Sequence, residues 1–413
     1  MLDKRTPIPV DEAIAHCMAR AALMPTISIP LAQSLHYYTA EDITATYDIP
    51  MFDKSPYDGY AVRSADTIGA DGEHRIAFRT IDHIGAGEVS SHILKPYEAV
   101  RIMTGAPIPE GADAVVMLEQ TVDTTDGFTV RKSFDQGENI SVQGEECRQG
   151  ELILPAGTLI TPGVQAVLAT FSYATIHVRK KPVVALIATG SELTAIDAPL
   201  LPGKIRNSNG PMIAGQLAEL GIEAIHYQAE ADHYEHLLST IQTALQTSDV
   251  VITTGGVSVG DYDYMPAIYK ALNADILFNK IAMRPGSVTT VASLGQQLLF
   301  GLSGNPSACY TGFELLVRPS IKSMMGAANC YAPVIEGVLS EDFKKANPFT
   351  RFIRAEYDWH TRTVKPAGFN KSNAVVAIAK SNSMIILPGG TRDFRAGDAV
   401  KVMLTQLPDV SQW

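Results

Sequence analysis

The chain has 413 residues, 46% of them apolar and 19% charged, an ordinary globular composition but too many residues for one hydrophobic core. A formal net charge of −11 disfavours nucleic acid and anionic membrane as partners, and no apolar run approaches the roughly 18 residues of a membrane span. Four cysteines far apart (Cys17, Cys147, Cys309, Cys330), with no C-x-x-C pair and no apolar signal core behind the charged N-terminus, argue for a reducing cytoplasm and against a zinc or disulfide framework.

Residues 9–24 repeat apolar side chains at helical spacing, with Asp11 and Glu12 favourably placed in the first turn. An extended stretch follows to Pro50. In FDKSPYDGYAVR the Asp58-Gly59 dipeptide predicts a turn that projects a carboxylate, with Ser55 and Tyr57 close by; a plain β-turn fits equally. From Ile76 to Val142 the period is near two, with turn residues at short intervals, which predicts a small β domain. Within it, MTGAPIPEGADAVV sets Thr104-Gly105 just after an apolar strand and stiffens the next loop with Pro107 and Pro109. Residues 147–180 read as alternating short strands and turns. The first 50 residues form no core of their own and are expected to pair with that segment, which makes the β domain an insertion.

From Lys181 the pattern becomes strand, loop, helix, repeated. PVVALIATGSEL is an apolar strand ending at Thr189-Gly190, with Ser191 and Glu192 just past it. Residues 207–210, NSNG, offer helix N-caps before PMIAGQLAELG, which ends at Gly221 in the C′ position. A strand, IEAIHYQA, leads to Glu230 and Asp232. His233 and His236 then sit three apart on a predicted helix; without a further ligand cluster they read as a solvated face. The central strand DVVITT stops at Gly255-Gly256, and Ser258, Gly260, Asp261 and Asp263 follow. Two carboxylates and a hydroxyl in so short a loop suit a hard cation such as Mg²⁺; capping of the next helix is the competing explanation. The loop is neither a dinucleotide fingerprint nor a P-loop, since no G-x-G-x-x-G is present and no Gly-Lys-Ser/Thr closes it. Lys280, Arg284 and Ser287 surround a Pro-Gly turn, and Gly304-Asn305-Pro306 opens a last helix.

This alternation predicts a right-handed, doubly wound parallel sheet. Its polar residues follow successive strands, so they lie along one edge, where such sheets hold ligands. Carboxylates beside Lys and Arg at that edge fit a phosphorylated ligand held with Mg²⁺. A final β-rich domain spans residues 326–413, in which Arg351, Arg354 and Lys371 with Ser372 are candidate anion contacts. The expected domains are 1–50 with 147–180, 51–146 as the insertion, 181–325 and 326–413.

SPYDGYAVR, RIMTGAPIPEGADAVV, ATGSEL, TGGVSVGDYD, RPGS and LSGNP, in this order, resemble the MoeA family of molybdopterin molybdenumtransferases, related to the C-terminal part of gephyrin. The resemblance covers essentially the whole chain. It implies a four-part elongated homodimer with an α/β molybdopterin-binding domain, an inserted β domain and a C-terminal β-barrel. The implied reaction is insertion of molybdate into adenylylated molybdopterin, releasing AMP with the help of Mg²⁺. Matching motifs place catalytic roles on Asp58, Thr104, Glu192, Asp232, Asp263, Lys280 and Arg284. Substrate contacts fall on Gly190, Ser191, Gly255, Gly256, Ser258, Asp261, Ser287, Gly304, Asn305, Pro306, Arg354 and Ser372, and metal ligation on Glu192, Asp261 and Asp263. Asp58 and Thr104 are expected at the facing subunit's edge of the cleft. Implied partners are the molybdopterin adenylyltransferase and apo-molybdoenzymes. The chain departs from the family pattern where Lys-Pro-Gly-Lys-Pro becomes RPGSV, LPGNP becomes LSGNP, and the Arg of GENIR becomes Ser141. A pterin-binding scaffold without transferase activity is the alternative, and an adenylyltransferase a third reading.

Overall fold

The protein is described here by a computed structural model that covers residues 5–190, 192–229, 234–255 and 264–406. The backbone divides into two compact units, Asp42–Pro155 with Ala169–Ser172, and Met1–Glu41 with Ala156–Leu168 and Tyr173–Trp413. Among the described residues no helix is long and apolar enough to cross a membrane.

The smaller unit carries a six-stranded sheet in the order Ala114–Met117, Gly59–Val62, Glu98–Ile102, Ile76–Ile84, Gly127–Val130, Thr121–Asp123. The period-two pattern is satisfied on both faces. Tyr60, Phe78 and Phe128 stack on one, with Phe128 centroids 3.8 Å and 5.4 Å from the other two rings. Ala61, Val100, Ile102 and Val115 fill the other. Ile43–Thr44 pairs with Leu152–Leu154 in this unit, and Thr26–Pro30 pairs with Thr175–Arg179 in the larger one. One expectation fails in this region: Pro162–Thr170, read as strand and turn, is an α-helix. Pro162 occupies the first turn, where its missing N–H costs nothing, and Thr161 accepts from Val164 N–H at 3.4 Å as a cap.

In the larger unit a six-stranded sheet runs Ala224–Ala229, Val184–Thr189, Val250–Thr254, Gln297–Leu302, Thr290–Leu294, Asp275–Phe278. Its β-branched runs are buried on both sides, with Val184 and Leu186 in one core and Ala185 and Ile187 in the other. Helices Asn209–Ala218, Tyr234–Leu245 and Met265–Ala271 cover it. The first four strands are parallel, as expected, but the sheet as a whole is mixed. Thr290–Leu294 runs antiparallel because a two-residue turn at Gly295 joins it to Gln297–Leu302, too short for a crossover helix.

After Pro306–Gly312 the helix widens to a π segment, Phe313–Val317, before Arg318–Met324. Pro319 has no N–H to continue the α ladder, which explains the local re-registration. The Arg318 guanidinium is held there by Glu314 at 2.7 and 2.8 Å and by Glu219 at 2.7 Å. Beyond it Val334–Leu339, Thr350–Tyr357, Thr363–Pro366, Ser383–Leu387 and Ala399–Leu404 close a five-stranded barrel, since Thr350–Tyr357 pairs with both Thr363–Pro366 and Ser383–Leu387. The short strand Met283–Arg284 joins the barrel by parallel pairing with Thr350–Arg351.

Candidate active site: a glycine-lined sheet edge flanked by arginines

Three strand ends meet at the carboxyl edge of the α/β sheet. Thr189 donates its hydroxyl to Thr254 O at 3.2 Å, and Gly255 N–H donates to Leu302 O at 3.1 Å. Gly255 has φ +96°, and a Cβ there would lie 2.6 Å from Thr189 O; a Cβ on Gly304 would touch Gly255 Cα at 3.5 Å. At Gly190 a Cβ would lie 2.6 Å from Oε2 of Glu192, so the glycine lets that carboxylate fold back over the strand end. Gly304 O accepts from the Asn209 amide at 2.9 Å, while Asn209 Oδ1 is buried without a partner. Asn209 was expected only as a helix cap, a role that Asn207 takes instead by accepting from Gly210 N–H at 2.9 Å. Its signal was the NSNG run, whose surplus of amides exceeds what one cap requires.

A second group of expected residues meets at the start of the Pro306 helix. Asn305 N–H donates to Ser303 Oγ at 3.3 Å, so the serine that replaces the usual proline makes its own local turn. Ser307 N–H donates to Ser372 O at 3.0 Å, which brings the barrel loop against the helix start. Arg354 is 1% exposed and donates from Nη2 to Asn370 Oδ1 at 3.1 Å and to Lys371 O at 3.3 Å. Its Nε and Nη1 are buried without partners, and burial pushes its pKa down from the ordinary arginine value. The Pro285-Gly286 turn packs on the same helix, a Cβ on Gly286 lying 3.3 Å from Ala308 O. Arg284 is exposed at that turn. Ser287 is half-buried and its carbonyl accepts from Ile281 N–H at 2.9 Å. Lys280 is half-buried one step earlier.

Asp58 and Thr104 lie in the smaller unit and meet each other: Thr104 donates its N–H at 2.7 Å and its hydroxyl at 2.9 Å to Asp58 Oδ1. Buried Ser55 fixes the turn beneath by donating to Tyr57 O at 2.6 Å. Those two donors, with a smaller contribution from the positive charge of Arg101, hold the Asp58 carboxyl below its usual range. Arg101 was not singled out from sequence; it stands in the VRIM strand just ahead of the Thr104 loop. Because this pKa is depressed, the stabilisation is present above the unfolded carboxylate value, about 3.9, and is lost as pH falls through the folded value. Thr104→Val is expected to raise the Asp58 midpoint toward the ordinary carboxylate range in a carbon-detected NMR titration. An unmoved midpoint would show that the threonine does not set it.

Ser191, Asp232, His233, Gly256, Ser258, Asp261 and Asp263 lie outside the described residues. His236 is on the exposed face of its helix. Among the described residues no three His, Cys, Asp or Glu side chains cluster as a metal site.

An α/β layer whose strand ends form a glycine-lined edge, with an unneutralised guanidinium held near the start of the Pro306 helix, has the chemistry to accommodate an anionic ligand. The chain belongs to the MoeA family. The MoeA N-terminal region (domain I and II) matches residues 8–172, the probable molybdopterin binding domain residues 185–323, and the MoeA C-terminal region (domain IV) residues 336–405. It is 56% identical over 408 residues to the molybdopterin molybdenumtransferase of Staphylococcus aureus strain COL, covering 98% of this chain and 97% of that one. The protein of the same name from Staphylococcus epidermidis strain ATCC 12228 is 57% identical over 407 residues, with the same coverage. The crystal structure of the molybdopterin biosynthesis moeA protein from Pyrococcus horikoshii OT3 matches with a TM-score of 0.83 and 28% identity, over 97% of this chain and 100% of that one.

Proposed function

We propose that the protein is a molybdopterin molybdenumtransferase that inserts molybdenum from molybdate into adenylylated molybdopterin and releases AMP. The observation that carries this reading is the 56% identity, across 98% of the chain, to relatives of that name. The glycine-lined edge suits the substrate's phosphates, because no side chain at Gly190, Gly255 or Gly304 keeps a ligand from the backbone. Lys280, Arg284, Arg354 and the loops of Ser372 and Pro306 would orient the oxyanions through charge-assisted hydrogen bonds. Glu192, with Asp261 and Asp263 from the sequence that follows the central strand, would be the donor set for Mg²⁺, which takes one or two carboxylates and completes its shell with water and substrate phosphate. A bound Mg²⁺ supplies charge neutralisation at the phosphate that leaves as AMP. The proposal also gives a catalytic role to Asp232 and substrate contacts to Ser191, Gly256 and Ser258.

The same reading makes the protein a cytoplasmic homodimer in which Asp58 and Thr104 of one subunit complete the cleft of the other. It keeps the four-part division at 1–50 with 147–180, 51–146, 181–325 and 326–413. The adenylyltransferase that makes the substrate and the apo-enzymes that take the product are its expected contacts.

Purified protein with Mg²⁺, molybdate and adenylylated molybdopterin is expected to release AMP in a single turnover. Glu192→Gln should raise the Mg²⁺ concentration for half-maximal release by about 10-fold, the loss of one charge-assisted ligand contact. Tight pterin binding without AMP release would favour the carrier instead, and formation of the adenylylated pterin from ATP would favour the adenylyltransferase.

A further inference from the structure

Met283–Arg284 and Thr350–Arg351 pair in parallel register, Arg284 opposite Arg351. In-register neighbours on adjacent strands lie about 4.8 Å apart and present their side chains to the same face, so two like charges stand side by side. Each guanidinium is steadied by a ring: Arg284 Cζ lies 6.0 Å from the Phe349 centroid and Arg351 Cζ 5.2 Å from that of Phe343. Neither has a carboxylate within ion-pair distance among the described residues, and Arg351 Nε is buried without a partner. Burial and then the neighbouring Arg284 push the Arg351 pKa down. The contrast within the same unit is Arg318, a structural arginine that the fold surrounds with Glu314 and Glu219. A juxtaposed pair left without counter-charge costs stability in the free protein and is resolved when an anion binds between the two.

We propose that Arg284 and Arg351 form a two-guanidinium clamp for a tetrahedral oxyanion dianion, with Arg351 supplying the second cation at a turn where residue 287 is serine. A planar fork binds oxyanion edges bidentately, and two forks facing one tetrahedron can use two opposite edges of it. The clamp sits one residue before the Pro285-Gly286 turn that packs on the Pro306 helix, so it deepens the transferase reading and rests on it for its position. The dianion is either free molybdate or the pyrophosphate link of the nucleotidyl substrate, whose two phosphoryl groups carry one negative charge each.

Steady-state AMP release separates these. Arg351→Gln is expected to raise one KM by about 10-fold or more with kcat within a few-fold: the KM for molybdate if the clamp holds the free oxyanion, the KM for adenylylated molybdopterin if it holds the pyrophosphate link. Arg351→Lys should recover part of the loss, and Ser287→Lys in the Arg351→Gln background should recover most of it, a rescue that a merely structural arginine would not permit. Arg351→Gln should also melt no lower than the parent while losing the melting gain given by added molybdate. Unchanged KM values for both substrates overturn the clamp and leave the transferase reading standing, since the parent still releases AMP. Should the parent release none, calorimetry with sodium molybdate and with inorganic phosphate decides: binding that disappears in Arg351→Gln supports the clamp, and no binding to the parent overturns it.

Discussion

Arg354→Met is expected to lower molybdate-dependent AMP release by about 100-fold or more while leaving the melting midpoint unchanged or raised. The side chain is among the largest fully buried ones in the protein, yet Nε and Nη1 have no partner and Nη2 bonds only an amide oxygen and a carbonyl. A buried charge without counter-charge is costly to the folded state, and a neutral chain of similar length removes that cost. Asn370, which loses its donor, is half-exposed and can turn to water. What disappears is the pair of unused donors, each worth about 1.5–3 kcal/mol once an anion accepts from it. Calorimetric melting beside single-turnover AMP release checks both halves. A melting midpoint several degrees lower with normal turnover would make Arg354 a structural residue and remove it from the site.

The reasons some of this could be read from sequence and some could not are local. Alternating strand and helix patterns between Lys181 and Met324 placed Thr189-Gly190, Gly255 and Gly304 at strand ends, and the structure brings these together, because parallel strands leave their carboxyl ends on one edge. The barrel's strands were legible as a β-rich segment, but its closure through Thr350–Tyr357 pairing on both sides depends on long-range contacts that no local period encodes. Pro162–Thr170 was misread because valines at mixed spacing suit a strand as well as a helix, and the Thr161 cap decided the matter. The antiparallel strand Thr290–Leu294 was set by a turn length, not by composition. At the site, Arg351 was one of several candidate anion contacts; its register opposite Arg284 exists only once a strand of the α/β segment has joined the barrel. Asn209 was hidden by a competing role as a cap, which Asn207 performs.

Gly255→Ala should cost about 2–4 kcal/mol of stability and reduce AMP release more than 10-fold even at temperatures where the variant is folded. The backbone there has φ +96°, a conformation that costs an L side chain about 1–3 kcal/mol. The added methyl would also lie 2.6 Å from Thr189 O and 3.0 Å from its hydroxyl, both fixed by the neighbouring strand. Neither atom can retreat alone: Thr189 donates to Thr254 O, and Gly255 donates to Leu302 O, so relief requires the three strand ends to part. Parting them opens the edge at which the substrate's phosphates are proposed to bind, which ties the activity loss to the same displacement. Gly295→Ala supplies the comparison. Its φ is +59° with nothing within 4 Å of the new Cβ, so it carries the backbone strain without the collision and should cost only about 1 kcal/mol with AMP release unchanged. Denaturant melts of the two variants read the difference directly. If both lose the same stability and both turn over normally, close apposition of the strand ends is not what shapes the site.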